Sequence, residues 1–254
     1  MDLSGKVVLI TGAGSGIGAA TAKMMAASGA QVVITGIPTL GIQAVYEEIS
    51  ALGHSALAIP TDVTVPSQIK DAISKTVEAF GQLDIVIPNA GIQLHDSDVN
   101  LHALPDAVWD QTHAVNYRGV YLTAKYGLAQ FMSQGKGGVI VIVASVTALS
   151  GMSANPAYMT GKHGLLGLNR YIAVHYGQYG IRCNAVCPGA LEQTPNHDIH
   201  PDPSGRFDRL TTRIPLGRLG RPEDIAPFIT FLASPAAAYA NGANCVVDGG
   251  LTVT

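Results

Sequence analysis

The chain has 254 residues, a net charge of −3 and 13% charged residues, well below the roughly 25% of an ordinary soluble domain. The weak negative charge argues against a nucleic-acid-binding protein, and the longest aliphatic run, residues 139–144, is too short to span a bilayer. Because so few charges cover a monomer poorly, we expect a homo-oligomer that buries apolar faces.

The cysteines and the first residues bear on the cellular compartment. Cys183, Cys187 and Cys245 are odd in number and lack the spacing of a zinc site. Residues 1–5 carry no cationic segment, and the apolar run after them is only about four residues long, so a signal peptide is not expected. We therefore predict reduced thiols and a cytoplasmic protein.

The chain begins with an apparent strand, a glycine-rich turn and a helix. The apolar run 7–10 suits a buried parallel strand, residues 11–18 have glycine at every second position from Gly12 to Gly18, and residues 19–28 favour a helix. The first N–H groups of such a helix attract a phosphate. Because no Gly-Lys-Ser/Thr ending follows, the turn favours a dinucleotide pyrophosphate over a nucleoside triphosphate.

The strand and helix pattern then recurs along the whole chain. Further strand-like runs occur at 31–35, 55–59, 83–87, 139–143, 182–186 and 244–247, and the helical patterns between them include 38–52 and 106–132. The alternation predicts an α/β protein with a single-domain doubly wound Rossmann fold over residues 1–254, in which helices flank a parallel sheet of about seven strands. We expect ligands to bind at the carboxyl ends of the strands.

The residues after the second and third strands bear on the cofactor. At Gly36 and Ile37, an acid would bind the ribose diol of NAD and an arginine would pair with the 2′-phosphate of NADP, but neither is present. Because burying a phosphate dianion without a cation is costly, we predict NAD as the preferred cofactor, with NADP as the alternative. After the third strand, Asp62 and Val63 either bind adenine or simply order the turn.

Three side chains suggest the chemistry. Ser145 follows the fifth strand directly, and Tyr158 and Lys162 lie four residues apart on one face of a helical segment. A neighbouring ammonium stabilises a phenolate and lowers the phenol pKa, with each pKa unit equal to about 1.4 kcal/mol. A lowering of about two or three units would make Tyr158 an effective proton exchanger near neutral pH.

Together these motifs resemble the single-domain short-chain dehydrogenases/reductases, nearly from end to end. The matching pieces are residues 11–18, Asp62-Val63, Asn89-Ala90-Gly91, Asn116, Ser145, Tyr158-x-x-x-Lys162, Pro188-Gly189, 218–224 and 247–250. Pro88 departs from the family pattern, which has a second Asn there, and lacks a backbone donor. The Tyr-x-x-x-Lys spacing differs from the Tyr-x6-Lys of enoyl reductases, which would require a tyrosine at Asn155.

The resemblance assigns roles to individual residues. It implies that Tyr158 exchanges the substrate hydroxyl proton, Ser145 bonds the same oxygen, Lys162 holds the cofactor ribose and lowers the pKa of Tyr158, and Asn116 helps to hold a water relay. The cofactor-binding residues that it implies are Gly12, Ser15, Gly16, Ile17, Gly18, Gly36, Ile37, Asp62, Val63, Asn89, Ala90, Gly91, Tyr158, Lys162, Pro188, Gly189, Leu191 and Thr194.

Polar residues near the strand ends suggest the substrate. We predict that it contacts Ser145, Tyr158, Gln93, His95, Thr147, Asn155 and His197. The polarity of this set favours a sugar-like alcohol, and the irregular segment at about 190–216 is predicted to be a substrate loop or lid in which His197 or an arginine meets an anionic substituent. His197 and His200 lack a third ligand, so no metal site is predicted.

We therefore predict an oxidoreductase that transfers a hydride between NAD(H) and a polar secondary alcohol/ketone or a sugar hemiacetal. A homotetramer is expected, as is common in the family. One alternative is an NADP-dependent ketoreductase of lipid or steroid-like carbonyls. An alternative of another class is a catalytically inactive cofactor-binding sensor or scaffold, although such proteins usually lack the Tyr or the Lys, and both Tyr158 and Lys162 are present here.

Overall fold

A computed structural model describes residues 1–37, 41–151, 153–192 and 205–254, with the side chains of 206–208 excepted. The described residues form a seven-stranded sheet in the order β3-β2-β1-β4-β5-β6-β7, with every pair parallel. The strands are β1 Val7–Thr11, β2 Gln31–Gly36, β3 Ala56–Pro60, β4 Ile85–Ile87, β5 Gly138–Val143, β6 Ile181–Pro188 and β7 Asn244–Val247. The predicted doubly wound α/β fold is confirmed.

Helices cover both faces of the sheet. They are α1 Gly16–Ala27, α2 Ile42–Ala51, α3 Pro66–Phe80, α4 Asp106–His113, α5 Val120–Gln134, α6 Pro156–Tyr176, α7 Arg206–Arg213 and α8 Pro222–Ala233. Helices α1, α2 and α8 pack on one face, and α3, α5 and α6 pack on the other. Strand β1 sends Val8 and Ile10 to the first face and Leu9 to the second, as strand geometry requires. None of the described helices is long and apolar enough to cross a membrane.

Helix boundaries follow the sequence chemistry. A proline occupies the first turn of α3, α6 and α8, where a missing N–H costs nothing. Gly81 and Gly135 end α3 and α5 in the left-handed conformation. The sequence predicts that α1 begins at residue 19, but the helix begins at Gly16. The last glycines of the turn already form its first turn. The helix predicted over 38–52 is described from Ile42 to Ala51, and residues 38–40 lie outside the described part.

The helical pattern predicted over 106–132 is confirmed, but it is not α-helical throughout. A π-helical segment, Ala114–Gly119, separates α4 from α5. A π turn holds one more residue than an α turn, so the apolar faces before and after it still meet the core. At the end of the segment, Gly119 packs so closely that an added Cβ would lie 2.7 Å from Val63 Cγ2. This contact is made with a distant residue, which helical periodicity does not reveal.

Candidate active site

A cavity of about 1280 Å³ opens at the carboxyl edge of the sheet. It is bordered by the residues that follow β1 to β6, so that it spans the point where the strand order reverses between β1 and β4. In doubly wound sheets this is the position at which ligands bind. The volume exceeds that of a typical drug-sized pocket of about 300–1,000 Å³, which leaves room for a dinucleotide and a second molecule.

The glycine turn after β1 packs closely against the residues that follow β4. Gly12 has φ 64°, and an added Cβ there would lie 2.7 Å from Ala90 Cα. Asn89 N donates to Thr11 Oγ1 at 3.0 Å, and Asn89 Nδ2 donates to the Thr11 and Gly12 carbonyls at 2.9 and 3.0 Å. Helix α1 begins without a side-chain cap and without an acidic residue in its first turn. This turn therefore fits a dinucleotide pyrophosphate.

Most of the predicted cofactor-binding residues line this cavity. Those that do are Gly12, Ser15, Gly16, Ile17, Gly36, Ile37, Asp62, Val63, Asn89, Ala90, Gly91, Tyr158, Lys162, Pro188, Gly189 and Leu191. Gly18 is not among the lining residues, and its predicted contact with the cofactor stays a prediction. A Cβ at Gly18 would overlap Gly12 O and lie 2.6 Å from Asn89 Nδ2, so this glycine permits close packing of α1 on the turn. Thr194 lies outside the described residues.

Asp62 orders the turn after β3 and also lines the cavity. Its Oδ1 accepts from Thr64 N at 2.8 Å and from Thr64 Oγ1 at 2.7 Å. The two interpretations left open by the sequence are thus compatible, because the turn uses one oxygen of the carboxylate. Beside it, Gly36 and Ile37 bring no charge to the cavity.

Ser145, Tyr158 and Lys162 line the same cavity where it borders β5 and α6. Ser145 follows β5 in an extended conformation, and its Oγ accepts from Thr147 N at 3.2 Å. Lys162 is 4% exposed, and its Nζ donates to Val143 O at 3.0 Å. The same Nζ lies 5.5 Å from the centre of the Tyr158 ring. The structure therefore brings together the three side chains that sequence spacing selected.

The pKa of Tyr158 corrects one expectation. Burial raises the pKa of the Tyr158 phenol, and a hydrogen bond with Ser145 acts in the opposite direction. The sequence predicted a pKa lowered by Lys162. Instead, burial also lowers the pKa of Lys162 itself to about 8, and the ammonium is engaged with Val143 O. Proton exchange at Tyr158 therefore depends on groups that stabilise its phenolate against the effect of burial.

Asn116 is fully buried in the π-helical segment, and its side chain is satisfied by one residue. Its Nδ2 donates to Ile92 O at 2.7 Å, and its Oδ1 accepts from Ile92 N at 2.8 Å. Gly91 makes room for it, because a Cβ there would lie 2.9 Å from Asn116 Oδ1. Asn116 is not among the cavity-lining residues described. Its amide fixes the chain after β4, and its role in a water relay stays a prediction.

The predicted substrate residues divide into two groups. Gln93 and Thr147 line the cavity, together with Ser145 and Tyr158. Asn155 and His95 do not appear among its described lining residues. Asn155 is 3% exposed, and its amide accepts from Gln93 Nε2 at 2.9 Å and donates to Asp98 O at 2.8 Å. Asn155 therefore supports Gln93, and its predicted contact with the substrate stays a prediction.

The predicted loop at 190–216 lies only partly within the described residues. Arg209, Leu210 and Arg213 of α7 line the cavity, which places the end of this segment beside the substrate region. His197 and His200 lie outside the described residues. Within the described ranges, no three His, Cys, Asp or Glu side chains are grouped as a metal site requires.

Sequence reasoning missed Asp98, which is completely buried beside the start of α6. Its carboxylate accepts from Ala157 N and Tyr158 N, both at 2.9 Å. No spacing pattern relates Asp98 to Tyr158, which is 60 residues away in the sequence. Asp96 and Asp98 both lie in a short irregular segment, and the sequence does not indicate which of the two is buried.

Comparison with known proteins gives matches along the whole chain. A family model described as enoyl-(acyl carrier protein) reductase matches residues 12–252. An L-rhamnose 1-dehydrogenase (NAD(P)(+)) of Azotobacter vinelandii is 40% identical, with 100% of this chain and 99% of that protein covered. The enzyme of the same name from a Sphingomonas species is 41% identical, with coverage of 99% and 98%. A crystal structure of a short-chain type dehydrogenase/reductase from Mycobacterium marinum is 34% identical, with a TM-score of 0.89 and coverage of 100% and 97%.

Proposed function

Because the chain belongs to the short-chain dehydrogenase/reductase family, we propose that it oxidises the C1 hemiacetal of a sugar to the lactone with a nicotinamide dinucleotide as cofactor. The observation that carries the proposal is the meeting of Ser145, Tyr158 and Lys162 in one cavity with the glycine turn. The full-length similarity to two L-rhamnose 1-dehydrogenases supports a sugar as the substrate.

The residues present fit a nicotinamide dinucleotide. The turn at Gly12 and the uncapped start of α1 would hold the pyrophosphate, and Gly36, Asp62 and Val63 would border the adenosine. Pro188, Gly189 and Leu191, at and after the end of β6, would border the nicotinamide. When bound, the cofactor supplies the hydride acceptor.

The protein's own side chains carry out the proton transfer. As its phenolate, Tyr158 takes the proton of the anomeric hydroxyl and becomes the phenol, while Ser145 Oγ holds the same oxygen. Lys162 is held by Val143 O on the inner side of the cavity, and its positive charge favours the phenolate that Tyr158 forms. Its remaining N–H donors would be available to the cofactor ribose.

The cavity wall near Tyr158 favours a polyhydroxylated substrate. It includes the polar side chains of Gln93, Gln111, Thr147, Ser150 and Ser153. Amides and hydroxyls both donate and accept hydrogen bonds, which matches the hydroxyl groups of a sugar ring. A lipid or steroid-like carbonyl offers these groups few hydrogen-bond partners, so the ketoreductase alternative is the less favoured one.

We further propose a preference for NAD over NADP. The cations that line the described cavity, Lys162, Arg209 and Arg213, belong to α6 and α7, whereas the adenosine end is bordered by β2 and β3. An unpaired 2′-phosphate at Gly36 and Ile37 would be costly to bind. A preference for NADP of tenfold or more in kcat/KM would contradict this proposal.

The function is tested by presenting a panel of aldoses and cyclic alcohols with NAD+ and NADP+ to the enzyme and its Tyr158→Phe variant. We expect oxidation of an aldose to its lactone, and a loss of at least about 100-fold in turnover in Tyr158→Phe with cofactor binding retained. Tyr179→Phe, at an exposed tyrosine beyond α6, is the matched control and should be fully active. Turnover of hydrophobic ketones alone would favour the alternative ketoreductase, and unchanged activity in Tyr158→Phe would refute the mechanism.

We also propose a cytoplasmic homotetramer. Large apolar side chains are exposed on two separate helices, Tyr171 and Val174 on α6 and Phe228 and Phe231 on α8. Two such faces on one chain would support an assembly with two kinds of interface. Light scattering after size exclusion should give four times the chain mass of 26.3 kDa, and a monomer would exclude the assembly.

A further inference from the structure

A buried carboxylate stands at the start of the helix that carries Tyr158. Asp98 is 0% exposed, and its Oδ1 and Oδ2 accept from Ala157 N and Tyr158 N, each at 2.9 Å. The first N–H groups of a helix have no partner within the helix, and a carboxylate placed there is also favoured by the helix dipole. Asp98 therefore caps α6 from a distant part of the chain.

The local sequence of α6 supplies no cap of its own. Asn155 occupies the capping position but makes no capping hydrogen bond with its side chain, and Pro156 has no N–H. The first amides that need an acceptor are those of Ala157 and Tyr158, and Asp98 accepts from both. The backbone of the proton-exchanging residue is thus bonded directly to this carboxylate.

The same residue fixes the segment that carries Gln93. Asp98 N donates to Leu94 O at 2.8 Å, and Asp98 O accepts from Asn155 Nδ2 at 2.8 Å. Asn155 Oδ1 in turn accepts from Gln93 Nε2 at 2.9 Å. Because Gln93 lines the cavity, one network of hydrogen bonds joins a cavity-wall side chain to the backbone of Tyr158.

We propose that Asp98 is a positioning residue for the reaction: it holds Tyr158 in place and sets the distance between Tyr158 and the wall at Gln93. The inference rests on the proposed role of Tyr158 in proton exchange. Misplacement of a reacting group by about 1 Å can lower a rate by about 100-fold. The expected consequence is a loss of turnover with little change in cofactor affinity, because most residues that would hold the dinucleotide lie outside α6.

The test compares Asp98→Asn with Asp106→Asn, an exposed acid in the first turn of α4. In Asp98→Asn one acceptor oxygen remains and the new amide group faces an N–H donor. We expect kcat to fall by about 10- to 100-fold, KM for the alcohol to rise, and the dissociation constant of NADH to stay within twofold of the wild type. Asp106→Asn should match the wild type. A folded Asp98→Asn protein with kcat within twofold of the wild type would overturn the inference.

A measurement on the wild type keeps the inference testable if Asp98→Asn does not fold. Helix α3 also begins with a proline and has no side-chain cap, so its exposed Ser67 amide is a reference for an uncapped helix start. We expect the amides of Ala157 and Tyr158 to exchange with solvent at least about tenfold more slowly than that of Ser67. Equal exchange would show that the cap is not formed in solution and would overturn the proposal.

These outcomes separate the inference from the proposed function. The ratio of kcat between Asp98→Asn and the wild type is measured on whichever alcohol the wild type oxidises, so it does not require a sugar substrate. If Tyr158→Phe is inactive and Asp98→Asn is fully active, only the positioning role fails. If Tyr158→Phe retains turnover, the proposed mechanism fails, and with it the reason for the effect of Asp98.

Discussion

Replacement of Lys162 by Met should make the cofactor-free protein more stable while it abolishes turnover. Lys162 is 4% exposed, and its single described hydrogen bond is to Val143 O. Burial lowers its pKa from 10.5 to about 8. The buried charge therefore lowers the free energy of unfolding, because the same charge is hydrated in the unfolded chain. Met has a similar length without that charge.

The size of the effect follows from the pKa. A difference of about 2.5 units corresponds to about 3 kcal/mol at pH 7, where the lysine is charged in both states. Loss of the bond to Val143 O leaves a buried carbonyl without its donor, which costs about 1–2 kcal/mol. The net gain in the free energy of unfolding is about 1–2 kcal/mol, or about 2–8 °C in Tm for a chain of this size.

The gain should depend on pH in a defined direction. Between pH 8 and 10.5 the unfolded wild type binds more protons at Lys162 than the folded protein does, so the stability of the wild type rises with pH through this window. Lys162→Met lacks this rise, and its advantage should disappear by about pH 10.5. Cys183, whose pKa is raised by burial, acts equally in both proteins and cancels in the comparison.

The assay is urea unfolding of both proteins without cofactor at pH 7 and at pH 10, with turnover measured in parallel. Lys75→Met is the control, since Lys75 is exposed and pairs only with Asp71 at the surface, and it should change stability by less than about 0.5 kcal/mol. A less stable Lys162→Met protein at pH 7, or an advantage that persists unchanged at pH 10, would refute the reasoning.

Two further predictions concern packing and thiol chemistry. Gly18→Ala should destabilise the protein by at least about 2 kcal/mol and weaken cofactor binding, because its Cβ would overlap Gly12 O and Asn89 Nδ2. Gly151→Ala should be neutral, because none of the described atoms lies within 4 Å of a Cβ added there, and equal unfolding curves for the two variants would contradict this prediction. Ellman's reagent should label Cys183 and Cys187 only after unfolding, because both are buried and burial raises the pKa of Cys187 to about 11; rapid labelling of either in the native protein would count against the packed core around them.

Much of the fold could be predicted from the sequence because its signals are local. The run from Val7 to Ile10 is apolar at every position, which is the pattern of a strand buried on both faces. The turn that follows requires positive φ at Gly12 and Gly16, and glycine is the residue type that adopts positive φ readily. Tyr158 and Lys162 share a helix face through spacing alone.

The remainder depends on contacts between distant segments. Asn116 finds both partners at Ile92, and Asn155 bonds Gln93 and Asp98, so a polar residue that looked free for substrate is already satisfied. The pKa of Tyr158 was misjudged for the same kind of reason. Spacing places Lys162 near the ring, but the depth of burial that raises the pKa is a property of the assembled cavity.

The π-helical segment Ala114–Gly119 has a consequence for insertions and deletions in this protein. Deleting one residue from it would restore ordinary α-helical winding and would rotate everything on its amino-terminal side by about 100° around the axis. His113 would then leave the side of the helix that faces α6, where it now contacts Thr160. The extra residue therefore sets the rotation of α4 relative to α5, and its loss would present α6 with different side chains of α4.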